Sequence, residues 1–266
     1  MGCRVVEVGD IKVTFLGTGT SQGMPVVACP CDVCHSSDHR DTRFRTSCMI
    51  ETQGKRFVID AGPDFRQQML RHNVKNLDAI LITHAHRDHV GGLDDVRSFN
   101  YVQAEEMPIY GNENALNWIQ RDFSYAFVEH PYPGIPKFDL RKIDITKDFV
   151  VDIKGVVFIP IEVMHYKLPT LAFRVGGFTY ITDAKTIQDK ELEKIKGSSV
   201  LVVNALRKEE HFSHFTLQEA LDLIEYIRPE KAYLTHISHY LGKYEDVSKE
   251  LPDNVFLAYD NLQIIV

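Results

Sequence analysis

The sequence predicts a layered α/β protein in which two β-sheets are sandwiched by outer helices. Three observations carry that prediction. Apolar runs of strand length alternate with helix-length segments along the chain, and strands stand at both ends with helices between them. Histidines and carboxylates also recur just after the predicted strands. In layered α/β proteins the carboxyl ends of strands are where sites gather, so separate strands can deliver their last residues to one place.

The first strand is read over residues 11–16 and runs into the glycine-rich Gly17-Thr18-Gly19-Thr20-Ser21-Gln22-Gly23. No Gly-Lys-Ser/Thr follows, so a tight turn out of the strand explains this loop better than a phosphate cradle. An irregular stretch holding Cys29, Cys31 and Cys34 ends near Thr42. Strands follow at 46–51 and 56–60, then a helix over 63–71 with proline at an early position. The apolar run 77–82 is a strand, with a helix predicted over 93–103, a strand at 108–110 and a helix at 112–121. Residues 122–147 mix Phe123, Tyr125, Phe127, Tyr132 and Phe138 with three prolines, a composition that suits an irregular cover. That cover is read either as a lid over a pocket or as the contact of a homodimer.

Strands resume at 156–163, 171–175 and 178–182. A helix over 189–195, a strand at 199–203, a helix at 216–227, a strand at 231–235, a helix at 244–250 and two strands at 255–258 and 262–265 complete the order. No internal repeat or linker interrupts the chain, so a single domain over residues 1–266 is expected.

With 44% hydrophobic and 25% charged residues the composition is that of a soluble globular protein. The net charge of −7 gives no basic footprint for nucleic acid. No apolar run reaches membrane-spanning length, and a cytoplasmic location is expected. Met1-Gly2-Cys3 lacks the Ser or Thr that myristoylation needs at position 6, where Val6 stands.

The chemistry concentrates in Thr83-His84-Ala85-His86-Arg87-Asp88-His89, where the 77–82 strand gives way to a bend. Alternate residues of an extended segment point the same way, so His84 and His86 can reach one ion together. Asp88 and His89 lie past the bend and suit a second ion. A histidine-rich surface loop is the simpler alternative. Four ligand-type residues within six positions at the end of a buried strand argue for metal instead. Asp60, His165, Asp183 and His236 each follow a predicted strand as well. Taken singly, each is explained as a capped or hydrogen-bonded polar residue; their joint recurrence points to a shared site.

With these residues the chain resembles the metallo-β-lactamase superfamily, through His84-x-His86-x-Asp88-His89 followed in order by His165, Asp183 and His236. The resemblance implies a four-layer αββα sandwich with a two-metal site between the sheets. It implies that His84, His86 and His165 hold one divalent ion, that Asp88, His89 and His236 hold the other, and that Asp183 bridges them. Asp60 matches the family's aspartate that orients the ligands without binding metal itself. Manganese, zinc and iron all suit this ligand set. Two such ions share a hydroxide and clamp phosphoryl oxygens, so no serine or cysteine nucleophile is needed.

Cys29-x-Cys31-x2-Cys34 offers three thiolates, and a tetrahedral structural zinc wants a fourth ligand. His239, three residues after His236, is the natural candidate, and the zinc-binding loop is placed at about residues 27–40. The alternative is three reduced cysteines beside an unrelated histidine. Cys3 and Cys48 read as ordinary thiols. The cysteine cluster and His214, together with the motifs above, resemble the phosphoribosyl 1,2-cyclic phosphate phosphodiesterases of phosphonate catabolism. That resemblance implies a small-molecule phosphodiester substrate. His214, Asp88 and Asp60 are then the catalytic side chains, with His214 donating a hydrogen bond or a proton. A tRNA 3′-end processing nuclease shares the metal motifs, but it typically carries a flexible basic arm that is not evident here. A non-enzymatic metal-binding or cofactor-biosynthesis protein on the same scaffold often lacks ligands that are all present in this chain.

Overall fold

The computed structural model describes residues 9–130, 132–147 and 149–266. The Met1-Gly2-Cys3 start, Val6 and Pro131 lie outside the described residues. β1 (Lys12–Gly17), β2 (Ser47–Thr52), β3 (Lys55–Ile59), β4 (Ala79–Leu81), β5 (Met107–Gly111) and β6 (Phe138–Lys142) form one sheet with β15 (Gln263–Ile265). The other sheet contains β7 (Val151–Ile153), β8 (Val156–His165), β9 (Leu168–Val175), β10 (Phe178–Tyr180), β11 (Thr186–Ile187), β12 (Val200–Asn204), β13 (Lys231–Thr235) and β14 (Val255–Leu257). In each sheet an antiparallel half continues into a parallel half: β3 to β6 in the first, and β10, β12, β13 and β14 in the second.

The inner parallel strands β4, β5, β10 and β12 are buried on both faces, which is why the chain reads there as apolar runs. Phe57 and Ile59 of β3, Leu81 of β4 and Val202 of β12 point into the core between the sheets. Their neighbours Val58 and Ile80 face a second core, shared with α1 (Phe65–Arg71), α3 (Arg97–Gln103) and α4 (Glu113–Asp122). Leu201 and Val203 face a third core, under α5 (Asp189–Ile195), α6 (Leu217–Ile227) and α7 (Tyr244–Ser248). Three apolar layers separate four structural ones, giving the αββα sandwich.

Local chemistry fixes the helix starts. Thr216 and Glu219 close a capping box at α6, and the Asn112 side chain accepts from the Ala115 N–H at 2.8 Å to start α4.

The structure departs from the sequence reading in several places. Residues 122–147 are not all an irregular cover: β6 pairs with β5, and Phe123 and Phe138 are buried against each other at 5.7 Å. Prolines masked this strand because they interrupt the run ahead of it. The helix read over 93–103 is a 3-10 turn, Leu93–Val96, followed by α3. A short α2 (Arg87–Val90) also begins inside the histidine motif, and β8 reaches His165 itself.

Candidate metal centre

The residues singled out at strand ends meet at one end of the parallel strands, in the cleft between the sheets. Asp60, Asp183 and His236 each follow a parallel strand and adopt left-handed backbone, with φ of 63°, 52° and 54°. Non-glycine residues rarely take that conformation, and strain of this kind collects where side chains must be aimed at a site. His84 lies three residues beyond β4, and α2 lifts Asp88 and His89 across the same opening.

Ligand atoms of His84, His86 and His165 lie within 4.8 Å of one another, as do those of Asp88, His89 and His236. Asp183 groups with His84 and His89, and again with His165 and His214, so it stands between the two triads. Its Oδ2 lies 3.3 Å from His89 Nε2 and 3.2 Å from His236 Nδ1.

Several contacts orient these rings. His89 Nδ1 donates to Asp60 Oδ2 at 2.6 Å, which turns Nε2 toward Asp88 and Asp183. Asp60 also accepts from the backbone and hydroxyl of Thr83, at 2.9 and 2.8 Å. With its proton given to Asp60, the Thr83 hydroxyl is left to accept from His84 Nδ1 at 3.1 Å. His165 Nδ1 donates to the Ser213 carbonyl at 2.8 Å, leaving Nε2 for the cleft.

Electrostatics fit a cation. Burial opposes charge on His89, yet Asp88, Asp183 and Asp60 overcome it and hold its pKa well above the usual histidine range. Burial likewise pushes the Asp183 carboxyl up, but the surrounding histidines prevail and keep it ionised. His84 Nε2 and His86 Nδ1 face each other at 2.9 Å, and with His84 Nδ1 donating to Thr83 the Nε2 lone pair of His84 is turned into that gap. His89 Nε2 and His214 Nδ1 are buried without hydrogen-bond partners. Imidazole and carboxylate donors with orphaned ring nitrogens suit borderline divalent ions.

His214 sits beside the cluster, its ring stacked on His236 at 4.9 Å and 4.5 Å from His165. Its Nδ1 lies 3.7 Å from Asp183 Oδ1. Burial drives its pKa down to about 2, so the ring is neutral at neutral pH.

Cys29, Cys31 and Cys34 converge on His239, with Sγ to Nδ1 separations of 3.3, 3.2 and 3.7 Å. Zinc bonds of about 2.3 Å to sulfur and 2.0 Å to nitrogen, at tetrahedral angles, span roughly 3.6 Å. The loop of Thr18 to Thr20 links this quartet to the cleft: Ile237 N–H donates to the Thr18 carbonyl, Thr20 N–H donates to the Ile237 carbonyl, and Thr20 Oγ1 meets His236 Nε2 at 3.2 Å.

Sequence reasoning missed Thr83, Thr20 and Asn204. Asn204 brackets the turn after Asp183, accepting from Ala184 N–H at 2.9 Å and donating to its carbonyl at 3.1 Å. A polar residue closing the apolar run Val200-Leu201-Val202-Val203 was the available signal.

A model of the beta-lactamase superfamily domain matches residues 55–237. The chain belongs to the beta-lactamase superfamily. Its αββα sandwich is the metallo-β-lactamase fold. This superfamily chain is similar to a solved structure described as a new diphosphatase from the PhnP family, at 35% identity, TM-score 0.90 and 97% of each chain. It is 39% identical over 258 residues to a Porphyromonas gingivalis protein named octanoyltransferase, covering 96% of this chain and 52% of that protein. The chain therefore spans about half the length of that curated relative. A ribonuclease Z of Mycolicibacterium paratuberculosis is 28% identical over 218 residues, 75% of this chain and 71% of that one.

Proposed function

We propose that this chain hydrolyses small cyclic phosphodiesters such as a phosphoribosyl 1,2-cyclic phosphate. His84, His86 and His165 would hold one divalent ion, Asp88, His89 and His236 the other, with Asp183 between. The observation that carries the reading is the pair of ligand triads sharing Asp183, with His214 alongside. The likeness to a diphosphatase over 97% of the chain supports phosphoryl chemistry. When bound, such a metal pair would supply a water whose pKa is lowered to about 7 and would neutralise phosphoryl oxygens.

The protein's own groups do the rest. Asp60 holds the His89 ring by Nδ1, and Ser213 holds the His165 ring. His214, neutral at neutral pH, keeps one N–H and donates it as a hydrogen bond to a phosphoryl oxygen; its low pKa disfavours the role of proton donor. A third ion, zinc, is assigned to Cys29, Cys31, Cys34 and His239, steadying the loop that carries His236. The octanoyltransferase name belongs to a protein of which this chain matches 52%, and the cluster suits hydrolysis, so acyl transfer is not proposed.

Comparing His214→Ala with the native protein on a cyclic ribose phosphate tests the assignment. Turnover should fall on the order of a hundredfold or more with metal content unchanged. Retained turnover would remove His214 from the mechanism. The ribonuclease Z relatives favour a second reading, cleavage of an RNA phosphodiester. Gel shifts with tRNA across salt concentrations separate the two, because tight, steeply salt-dependent binding belongs only to the RNA enzyme.

A further inference from the structure

Tyr166 and Phe212 are large aromatic side chains left in solvent beside the ligand cluster, with 55% and 67% of their surface exposed. Each adjoins a residue of the centre: Tyr166 follows His165, and Phe212 lies two before His214. Their rings meet edge to face at 5.6 Å and 89°. His211 stacks on Phe212 at 4.6 Å and stands 5.1 Å from His214, so aromatic surface runs from the outer rim to the cluster. Lys167 adds a cation 5.2 Å from the Tyr166 ring.

The backbone gives an independent sign. β8 and β9 are joined by a two-residue turn, since His165 pairs with Leu168. Tyr166 takes its first position with a φ of 56°. Glycine, asparagine and aspartate are the residues at ease there, and a bulky ring is strained. The ring is not drawn there by burial, since it stands in solvent. Strain and exposed apolar area together at the edge of a site are what ligand contact explains.

We infer that Tyr166 and Phe212 form a stacking platform that selects, among the phosphodiesters turned over at the adjacent centre, those bearing a planar heterocyclic ring such as a nucleobase. The inference rests on the phosphodiesterase reading above. A bare sugar or short alkyl group would leave both rings wet. A base offers a π-face to either ring, and Lys167 lends positive charge to the same rim for an anionic ligand.

Calorimetric titration of the metal-loaded protein with AMP and with ribose 5-phosphate reads the platform without turnover. The native protein should prefer AMP by about tenfold or more. Phe212→Ala and Tyr166→Asn should each erase most of that preference and leave ribose 5-phosphate affinity unchanged. Asparagine tolerates the left-handed turn, so the Tyr166 variant should fold at least as well as the native chain. Kinetically, both variants should raise KM for adenosine 2′,3′-cyclic phosphate about tenfold at unchanged kcat. The methyl riboside 2′,3′-cyclic phosphate, identical but for the base, should be unaffected. Equal affinity of the native protein for AMP and ribose 5-phosphate overturns the platform. A preference for AMP that disappears in both variants, with neither diester hydrolysed, supports the platform and overturns the proposed reaction instead.

Discussion

On the proposed assignment, Asp60 acts on an ion through His89 without binding it. Its carboxylate accepts from His89 Nδ1 and from both donors of Thr83, all in a fully buried setting. Replacement by Asn removes the charge and leaves His89 free to rotate. Partners of this kind typically govern about 10–100-fold in metal affinity. Asp60→Asn should therefore weaken metal binding by that order in competition with a chelating dye, and lower activity at subsaturating metal. The cysteine quartet has a pH signature of its own. The Cys34 backbone N–H, with His239, lowers the Cys31 pKa to about 6, whereas burial raises Cys34 to about 11. A depressed thiol pKa means thiolate above about pH 6 and unreactive thiol below it. In metal-stripped protein, alkylation of Cys31 should accelerate as pH rises through about 6 and then level off. Cys34 should lag at neutral pH, and buried Cys48, its thiol pushed up by burial, should stay unmodified. Zinc should protect the cluster. Peptide mapping by mass spectrometry checks each site.

Between elements, the short segment after β3 is clamped to α2. Ala61 N–H donates to the His89 carbonyl at 2.7 Å and Gly92 N–H to the Ala61 carbonyl at 2.9 Å. Gly62 permits this approach, because a methyl group there would overlap the carbonyl oxygen of Asp88. Backbone cannot yield as a flexible side chain would, so Gly62→Ala must push α2 and its ligands away. Overpacking of this sort costs about 1–3 kcal/mol. The expected result is a lower melting temperature and loss of one of the two proposed ions, read by metal analysis. Binding of both ions at native affinity would show that the clamp is looser than its geometry.

Across the whole molecule, the two sheets are held by the central apolar layer, where Phe57 and Phe158 meet edge to face at 5.1 Å. Removing one ring leaves a cavity between sheets that cannot collapse far. Phe158→Ala should destabilise by about 3–5 kcal/mol in chemical denaturation. The metal centre also contributes to global stability, because Asp60, Asp88 and Asp183 crowd a buried site that holds one cationic histidine in the absence of metal. Ligand that binds only the native state stabilises it by about 4 kcal/mol at a thousandfold excess over its Kd. Chelation should thus lower the melting temperature, and added zinc or manganese should restore it.

The layered fold was legible from the chain alone because apolar periodicity is a local property. Runs such as Val200-Leu201-Val202-Val203 state that a strand is buried on both faces, and their ends mark where polar side chains emerge. The candidate ligands could be nominated for a related reason, since Asp60, His84, His165, Asp183 and His236 each stand just past such a run. Their grouping into triads came only from the family resemblance, because periodicity cannot supply it. It depends on the parallel pairing of β3 with β4 and of β12 with β13, and on the two sheets facing each other. Contacts such as Thr20 with His236, 216 residues apart, follow only from that pairing. β6 stayed hidden in a proline-rich stretch because a partner strand, rather than its own pattern, makes it a strand. Sequence sets which side chains are available at strand ends; strand order and sheet packing decide which of them share an ion.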